Sequence, residues 1–124
     1  MLELPRRIKK PWGYELIWGQ TDQYLGKILH VIAGEALSLQ YHEIKDETLF
    51  LLRGRLLLQA GRSADELIDY QMLEGQSFHM PSRTVHRMIA ETDCEILEVS
   101  TPHLDDVVRL EDRYGRIPSA PGES

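Results

Sequence analysis

The sequence predicts an all-β domain, either a sandwich or a closed barrel. Two observations carry this reading. Short apolar runs recur along the chain, parted by turn signals at roughly 8–12-residue spacing. The runs Leu49-Phe50-Leu51-Leu52 and Leu56-Leu57-Leu58 are also continuous rather than alternating. Such runs suit strands covered on both faces, as in a closed or dimerising sheet. Only residues 105–110, which follow Thr101-Pro102, read as a short C-terminal helical segment of one or two turns.

Taken in order, residues 1–10 are charged and proline-containing and form an N-terminal arm or edge strand. Residues 11–116 form the single domain, and residues 117–124 a flexible tail. Lys10-Pro11-Trp12-Gly13-Tyr14 is a rigid aromatic segment suited to packing across a barrel mouth. Residues 14–18 read as a strand and 19–22 as a turn. Residues 24–32 alternate around Ile28 and Leu29, which places His30 toward a cavity, and 33–35 turn the chain. Residues 37–41 are the next strand. Residues 49–52 and 56–58 read as a hairpin around Arg53-Gly54-Arg55, with Gly54 where a positive φ is needed. Strands at 67–73, 77–80, 85–90 and 95–100 complete the set, separated by turns at 74–76 and 81–84.

At 124 residues the chain is one domain with enough length for a proper core. A net charge of −6 with no basic stripe argues against nucleic acid as a partner. Its one basic cluster, Arg6-Arg7-Ile8-Lys9-Lys10, reads as a solvated arm. The single cysteine, Cys94, excludes an internal disulfide and fits a reducing cytoplasm. Its place in the alternation C-E-I-L-E-V makes it a packed core thiol. The N-terminus carries no signal-peptide pattern, and no apolar run approaches the ~20 residues of a membrane span.

The chemistry concentrates between Gly34 and Gly54. Gln40 and His42 are two apart and share one face of a strand. If residues 43–46 close a four-residue hairpin loop, His42 and Glu47 become its flanking pair. Their Cβ atoms would then lie roughly 4.5–5.5 Å apart on one face. Three side chains converge, and a mixed O/N/O set of this kind holds a divalent ion. His86, just past the proline-marked turn at Pro81, is the best fourth ligand.

The two blocks read G-x5-Q-x-H-x4-E-x6-G and G-x5-P-x-R-x2-H, and together they resemble the paired motifs of the cupin superfamily. Gln40 stands where most cupins have their first histidine, and Arg83 where the second motif has glycine. A Gln-His-Glu-His set is the one that mannose-6-phosphate isomerases carry. P-W-G-Y at 11–14, G-E-A-L-S-L-Q-Y-H at 34–42 and E-D-R-Y-G-R at 111–116 are similar to the isomerase domain of type II mannose-6-phosphate isomerases. Those enzymes are usually fused to a mannose-1-phosphate guanylyltransferase domain, which no stretch of these residues resembles. The chain lacks their extra histidines after His42 and has Thr48 where histidine is common.

The resemblance implies a single-domain cupin, a small jelly-roll β-barrel with one divalent metal ion on Gln40, His42, Glu47 and His86. Zinc is the first expectation, with Mn, Fe, Co or Ni as alternatives. The implied reaction is aldose–ketose isomerisation of a sugar phosphate through a metal-stabilised enediolate. Asp105-Asp106-Val107-Val108-Arg109 resembles the family's D-N-V-V-R segment, so Arg109 inherits its catalytic arginine. Asp105, one helical turn earlier, would orient it. Lys27 stands where the family has lysine and serves as a proton carrier if desolvated. Arg116 and Tyr114 are expected phosphate or hydroxyl contacts. The Leu-rich strands imply a homodimer. The rivals are a sugar-binding or regulatory cupin without turnover, and another metal-cupin enzyme such as an oxygenase or lyase. Oxygenases favour more histidine-rich iron sets, and Gln40 weighs against that option.

Overall fold

The computed structural model describes residues 1–117, and the expected tail lies outside them except for Ile117. The strands are β1 (Arg6–Lys10), β2 (Gly13–Gln20), β3 (Leu25–Val31), β4 (Leu39–Tyr41), β5 (Glu47–Arg53), β6 (Leu56–Gly61), β7 (Leu67–Met72), β8 (Ser77–Met80), β9 (Val85–Ala90), β10 (Cys94–Ser100) and β11 (Val108–Glu111). They make two antiparallel sheets, ordered β1-β2-β3-β10-β5-β8 and β11-β4-β9-β6-β7. Alternate residues face the space between the sheets, the period-2 geometry of a pleated strand. In β10, Cys94, Ile96 and Glu98 are buried while Glu95 and Leu97 are half-buried.

The interior is divided along its length. Trp12, Leu29, Val31, Leu49, Leu51, Leu56, Leu58, Met88 and Ile96 build the apolar part, where each large side chain contributes roughly 1.5–3 kcal/mol on burial. At the other end, the inward positions carry Lys27, Gln40, Glu47, His86, Glu98 and Arg109, all buried. These sit at the start of β3, β5 and β9 and the end of β10, which antiparallel pairing brings to one end.

Three expectations are corrected. Residues 49–52 and 56–58 are not a hairpin, because β5 pairs with β10 and β8 while β6 pairs with β7 and β9. The Arg53-Gly54-Arg55 link is a corner at which the chain crosses between sheets, so the two leucine runs face each other instead of lying side by side. Gly54 does take a positive φ of 97°, and a Cβ there would lie 2.3 Å from the Asp93 carbonyl oxygen. Residues 43–46 are likewise a crossing from β4 to β5, not a hairpin loop.

The third correction is the C-terminal segment. No helix occurs among the described residues; 104–105 form a turn and β11 follows. The β-branched pair Val107-Val108 prefers extended backbone, and β4 offers an edge to which β11 adds. Helical spacing therefore does not relate Asp105 to Arg109. At the other terminus, β1 is an edge strand registered from Arg6 opposite Ile17 to Lys10 opposite Gly13.

Candidate metal centre

Four ligand-capable side chains meet at the polar end of the interior, drawn from both sheets. Gln40 in β4 lies directly opposite His86 in β9. His42 follows β4 by one residue, and Glu47 opens β5 in the facing sheet. Ligand atoms of His42, Glu47 and His86 all lie within 4.8 Å of one another. The expected convergence is present, but it runs across the sandwich.

The hydrogen bonds around these residues aim their lone pairs inward. His42 Nδ1 lies 2.6 Å from the Asp106 carbonyl oxygen, and His86 Nδ1 lies 2.9 Å from that of Thr84. A carbonyl only accepts, so both Nδ1 atoms carry the proton and both Nε2 atoms present a bare lone pair. Gln40 donates its amide nitrogen to the Ser38 carbonyl at 3.4 Å, which directs Oε1 the other way. Gln40 Oε1 and His86 Nε2 are buried without a hydrogen-bond partner. Orphaned acceptors in a buried site cost free energy unless a cation or donor completes them. Burial is the largest cause lowering the His42 pKa; the Lys45 charge and the nearby His86 add to it, while Glu47 and the Asp106 carbonyl oppose it. A neutral imidazole is the form a metal takes. The residues fit a divalent ion.

Behind Glu47 runs a row of alternating charge. Lys45 Nζ lies 3.0 Å from Glu47 Oε2 and 2.8 Å from Glu98 Oε2. Lys27 reaches Glu98 at 3.9 Å and pairs closely with Glu15, which also meets Lys10 at 3.5 Å. All six side chains are buried. Burial alone would lower the Lys45 pKa, but Glu98 and Glu47 outweigh it and hold the ammonium above the ordinary lysine value. Burial would likewise raise Glu98, and the charges of Lys45 and Lys27 hold it well below the usual carboxylate range.

Arg109 is buried in β11 and registered opposite Gln40, so one strand of ligands separates it from His86. Lys27 lies inside the charged row instead of standing as an isolated amine. Asp105 is exposed in its turn. Its neighbour Asp106 is the residue that reaches the centre: its carboxylate accepts the backbone N–H groups of Glu43, Ile44 and Lys45 at 2.9, 2.7 and 2.8 Å. Tyr114 donates its hydroxyl to Glu35, and Arg116 forms a bidentate pair with Asp112 at 3.0 Å per bond. His30 faces outward, stacked on Tyr14 at 4.9 Å and bonded to Glu95 at 2.9 Å.

Sequence reasoning missed Asp106, Lys45, Glu98 and Glu15. A signal existed for two of them: Glu98 is in phase with Cys94 and Ile96, and Glu15 with Ile17, both inward sets. Lys45 had none, because loop residues carry no strand phase.

A two-sheet β-barrel with a Gln-His-Glu-His cluster inside one end defines a cupin whose cluster could hold a metal ion. The family model for "Mannose-6-phosphate isomerase C-terminal" matches residues 1–112, and the chain belongs to that family. Xanthan biosynthesis protein XanB of Xanthomonas campestris pv. campestris (strain B100) is 34% identical over 118 residues, covering 90% of this chain and 24% of that protein. Mannose-1-phosphate guanylyltransferase of Escherichia coli (strain K12) is 32% identical over 119 residues, covering 90% and 23%. The chain thus spans about a quarter of the length of these relatives. Among solved structures, the capsular polysaccharide assembling protein CapF of Staphylococcus aureus aligns with a TM-score of 0.72 at 15% identity, covering 90% of this chain and 34% of that one. Oxalate decarboxylase of Bacillus subtilis aligns with a TM-score of 0.75 at 16% identity, covering 86% and 30%. At such identities these two speak for the fold. No helix of the described residues is long and apolar enough to cross a membrane.

Proposed function

We propose that the chain is a metal-dependent aldose–ketose isomerase acting on a sugar phosphate, with mannose 6-phosphate as the first candidate. The observation that carries this is the buried ligand set: two histidines fixed with bare Nε2 atoms, a glutamine oxygen without a partner and one carboxylate. When bound on Gln40, His42, Glu47 and His86, a divalent ion supplies Lewis acidity to a sugar carbonyl. Arg109, beside Gln40 in register, holds a fixed positive charge next to that position and grips the anionic substrate. The isomerisation moves a C–H proton between C1 and C2. Lys27 is proposed to serve that transfer through its carboxylate partners Glu15 and Glu98. Tyr114 and Arg116 are proposed to border the substrate from the segment latched to Glu35 and Asp112. Asp105, exposed beside this segment, is proposed only as a peripheral contact. A cytoplasmic setting goes with a sugar-phosphate substrate and the reduced, buried Cys94.

The same reading includes a homodimer. Leu16, Ile28, Leu97 and Phe50 lie in one registered row across β2, β3, β10 and β5 on the outer face of the six-stranded sheet. Trp18, Leu52 and Val99 are 47%, 44% and 53% exposed, and a second copy of the chain would cover them. A monomeric sedimentation profile would remove the dimer.

The test of function is conversion of mannose 6-phosphate to fructose 6-phosphate by metal-reconstituted protein, with His42→Ala as control. Conversion that disappears with His42 supports the isomerase. Metal binding without conversion sinks this substrate and favours a binding or regulatory cupin. Oxygen consumption or carbon-chain cleavage would favour an oxygenase or lyase.

A further inference from the structure

The buried row of charge has an order that its members' positions make plain. Lys10 ends β1, Glu15 is in β2, Lys27 in β3, Glu98 in β10 and Glu47 in β5, and β1-β2-β3-β10-β5 is the order of those strands in the sheet. One charged residue per strand, alternating in sign, leads to a metal ligand. The single break in alternation, between Glu98 and Glu47, is filled by Lys45 from the crossing loop, which touches both. Buried ion pairs of this kind are a poor device for stability, since apolar residues of similar volume do as well or better. Their placement against one ligand suggests a different task.

We propose that Lys45 and Glu98 are positioning residues for the metal ligand Glu47. Lys45 holds Glu47 Oε2 at 3.0 Å, while Oε1 lies 3.8 Å from His86 Nε2. Oε2 also lies 3.5 Å from His42 Nε2, so each carboxylate oxygen faces one imidazole and the Lys45 contact fixes the rotation that presents both to the cluster. Glu98 fixes Lys45 at 2.8 Å and is itself anchored to Lys27, which pairs in turn with Glu15. The outer partners of metal ligands commonly set affinity in this way. Asp106 secures the same loop from the solvent side by binding the Lys45 backbone N–H at 2.8 Å, which limits how far Lys45 can move.

This inference rests on the reading of the cluster as a metal site. The experiment is a titration of chelator-treated full chain with Zn²⁺ or Mn²⁺ alone, in competition with a chromophoric chelator. Wild type, Lys45→Met, Lys45→Arg and Glu98→Gln are compared, each with its metal-free thermal midpoint. Lys45→Met is expected to lose roughly 10–100-fold in metal affinity, Lys45→Arg to recover most of that loss, and Glu98→Gln to show a smaller loss. A purely structural ion pair would lower the metal-free midpoint and leave affinity unchanged, and that result in Lys45→Met overturns the proposal. Should Lys45→Met fail to fold, wild-type affinity in Glu98→Gln overturns it equally. Wild-type protein that binds neither ion would instead sink the metal site itself, a distinguishable failure.

Discussion

Replacing Asp106 with alanine tests whether the ligand loop is held from outside the sheets. Its carboxylate accepts three backbone N–H groups from consecutive residues, at 2.7–2.9 Å. Glu43 and Ile44 are exposed, so water replaces most of what their bonds contribute, leaving about 0.5 kcal/mol each. The Lys45 amide belongs to a buried residue, and stranding it costs about 1–2 kcal/mol. The total is about 2–3 kcal/mol, or a fall in thermal midpoint of roughly 6–12 °C for a domain of this size. The alanine variant keeps the carbonyl that accepts from His42 Nδ1, so any loss reports on the carboxylate. Metal affinity is expected to fall about tenfold as the loop loosens. Asp106→Asn, which keeps the shape without the charge, should lie between. The assay is urea unfolding in chelator followed by metal titration, with exposed Asp105→Ala as control at under about 0.5 kcal/mol. Equal effects of the two alanine variants, or a full-strength metal site in Asp106→Ala, would refute the reasoning.

Arg83 is the one non-glycine among the described residues with a positive φ, at 68°, and it occupies the motif position where glycine is usual. Arg83→Gly should raise stability by about 0.5–1 kcal/mol, the relief of left-handed strain less the added chain entropy, as read by urea midpoint. Asp112 governs part of the acid limb. Burial would raise its pKa, but the side chain and backbone N–H of Arg116 outweigh this and lower it. A folded value below the unfolded one means stability fully present above about pH 4, the ordinary aspartate value, and lost as pH falls through the folded value. Thermal scans from pH 7 to pH 3 should therefore show a flatter decline in Asp112→Asn than in wild type. Because ligands come from both sheets, a bound ion should tie the sheets together, and free metal at 100 times its dissociation constant should add about 2.7 kcal/mol to unfolding. Scans with and without chelator check this, and His86→Ala should abolish the difference.

The sheet content and the convergence of His42, Glu47 and His86 were legible because they rest on local signals: period-2 alternation, glycine and proline turns, and motif spacing. The topology was not. A three-residue link containing glycine between two apolar runs reads as a hairpin, yet Arg53-Gly54-Arg55 turns a corner between sheets. Hairpin and corner share the same turn chemistry and differ only in which partner each strand finds later in the chain. For β5 and β6 those partners are β10 and β9, which begin well downstream at Cys94 and Val85. The same ambiguity misplaced the path from His42 to Glu47, although their convergence held, since side chains facing a common interior meet whether their strands are neighbours or opposed. The helical reading of 105–110 failed for another reason. An aspartate pair after a proline looks like a helix start, but the free edge of β4 and the valine pair favour an added strand.

The division of the interior explains why a charged row can persist in a small barrel. Six buried charged side chains are costly in isolation, and any one left unpaired would cost several kcal/mol. Here each carboxylate touches at least one lysine and each lysine touches a carboxylate, so no member can be removed without exposing its neighbours. The apolar part, with Leu49, Leu51, Leu56 and Leu58 facing across the sheets, supplies the hydrophobic free energy that lets the polar end exist. Selection for stability alone would extend the leucines through Glu15, Lys27 and Glu98, whose phases already match. Charge retained at three successive inward positions, leading to the candidate ligand Glu47 and beside two oriented imidazoles, is best understood as the barrel giving up packing to fix the electrostatics of one site.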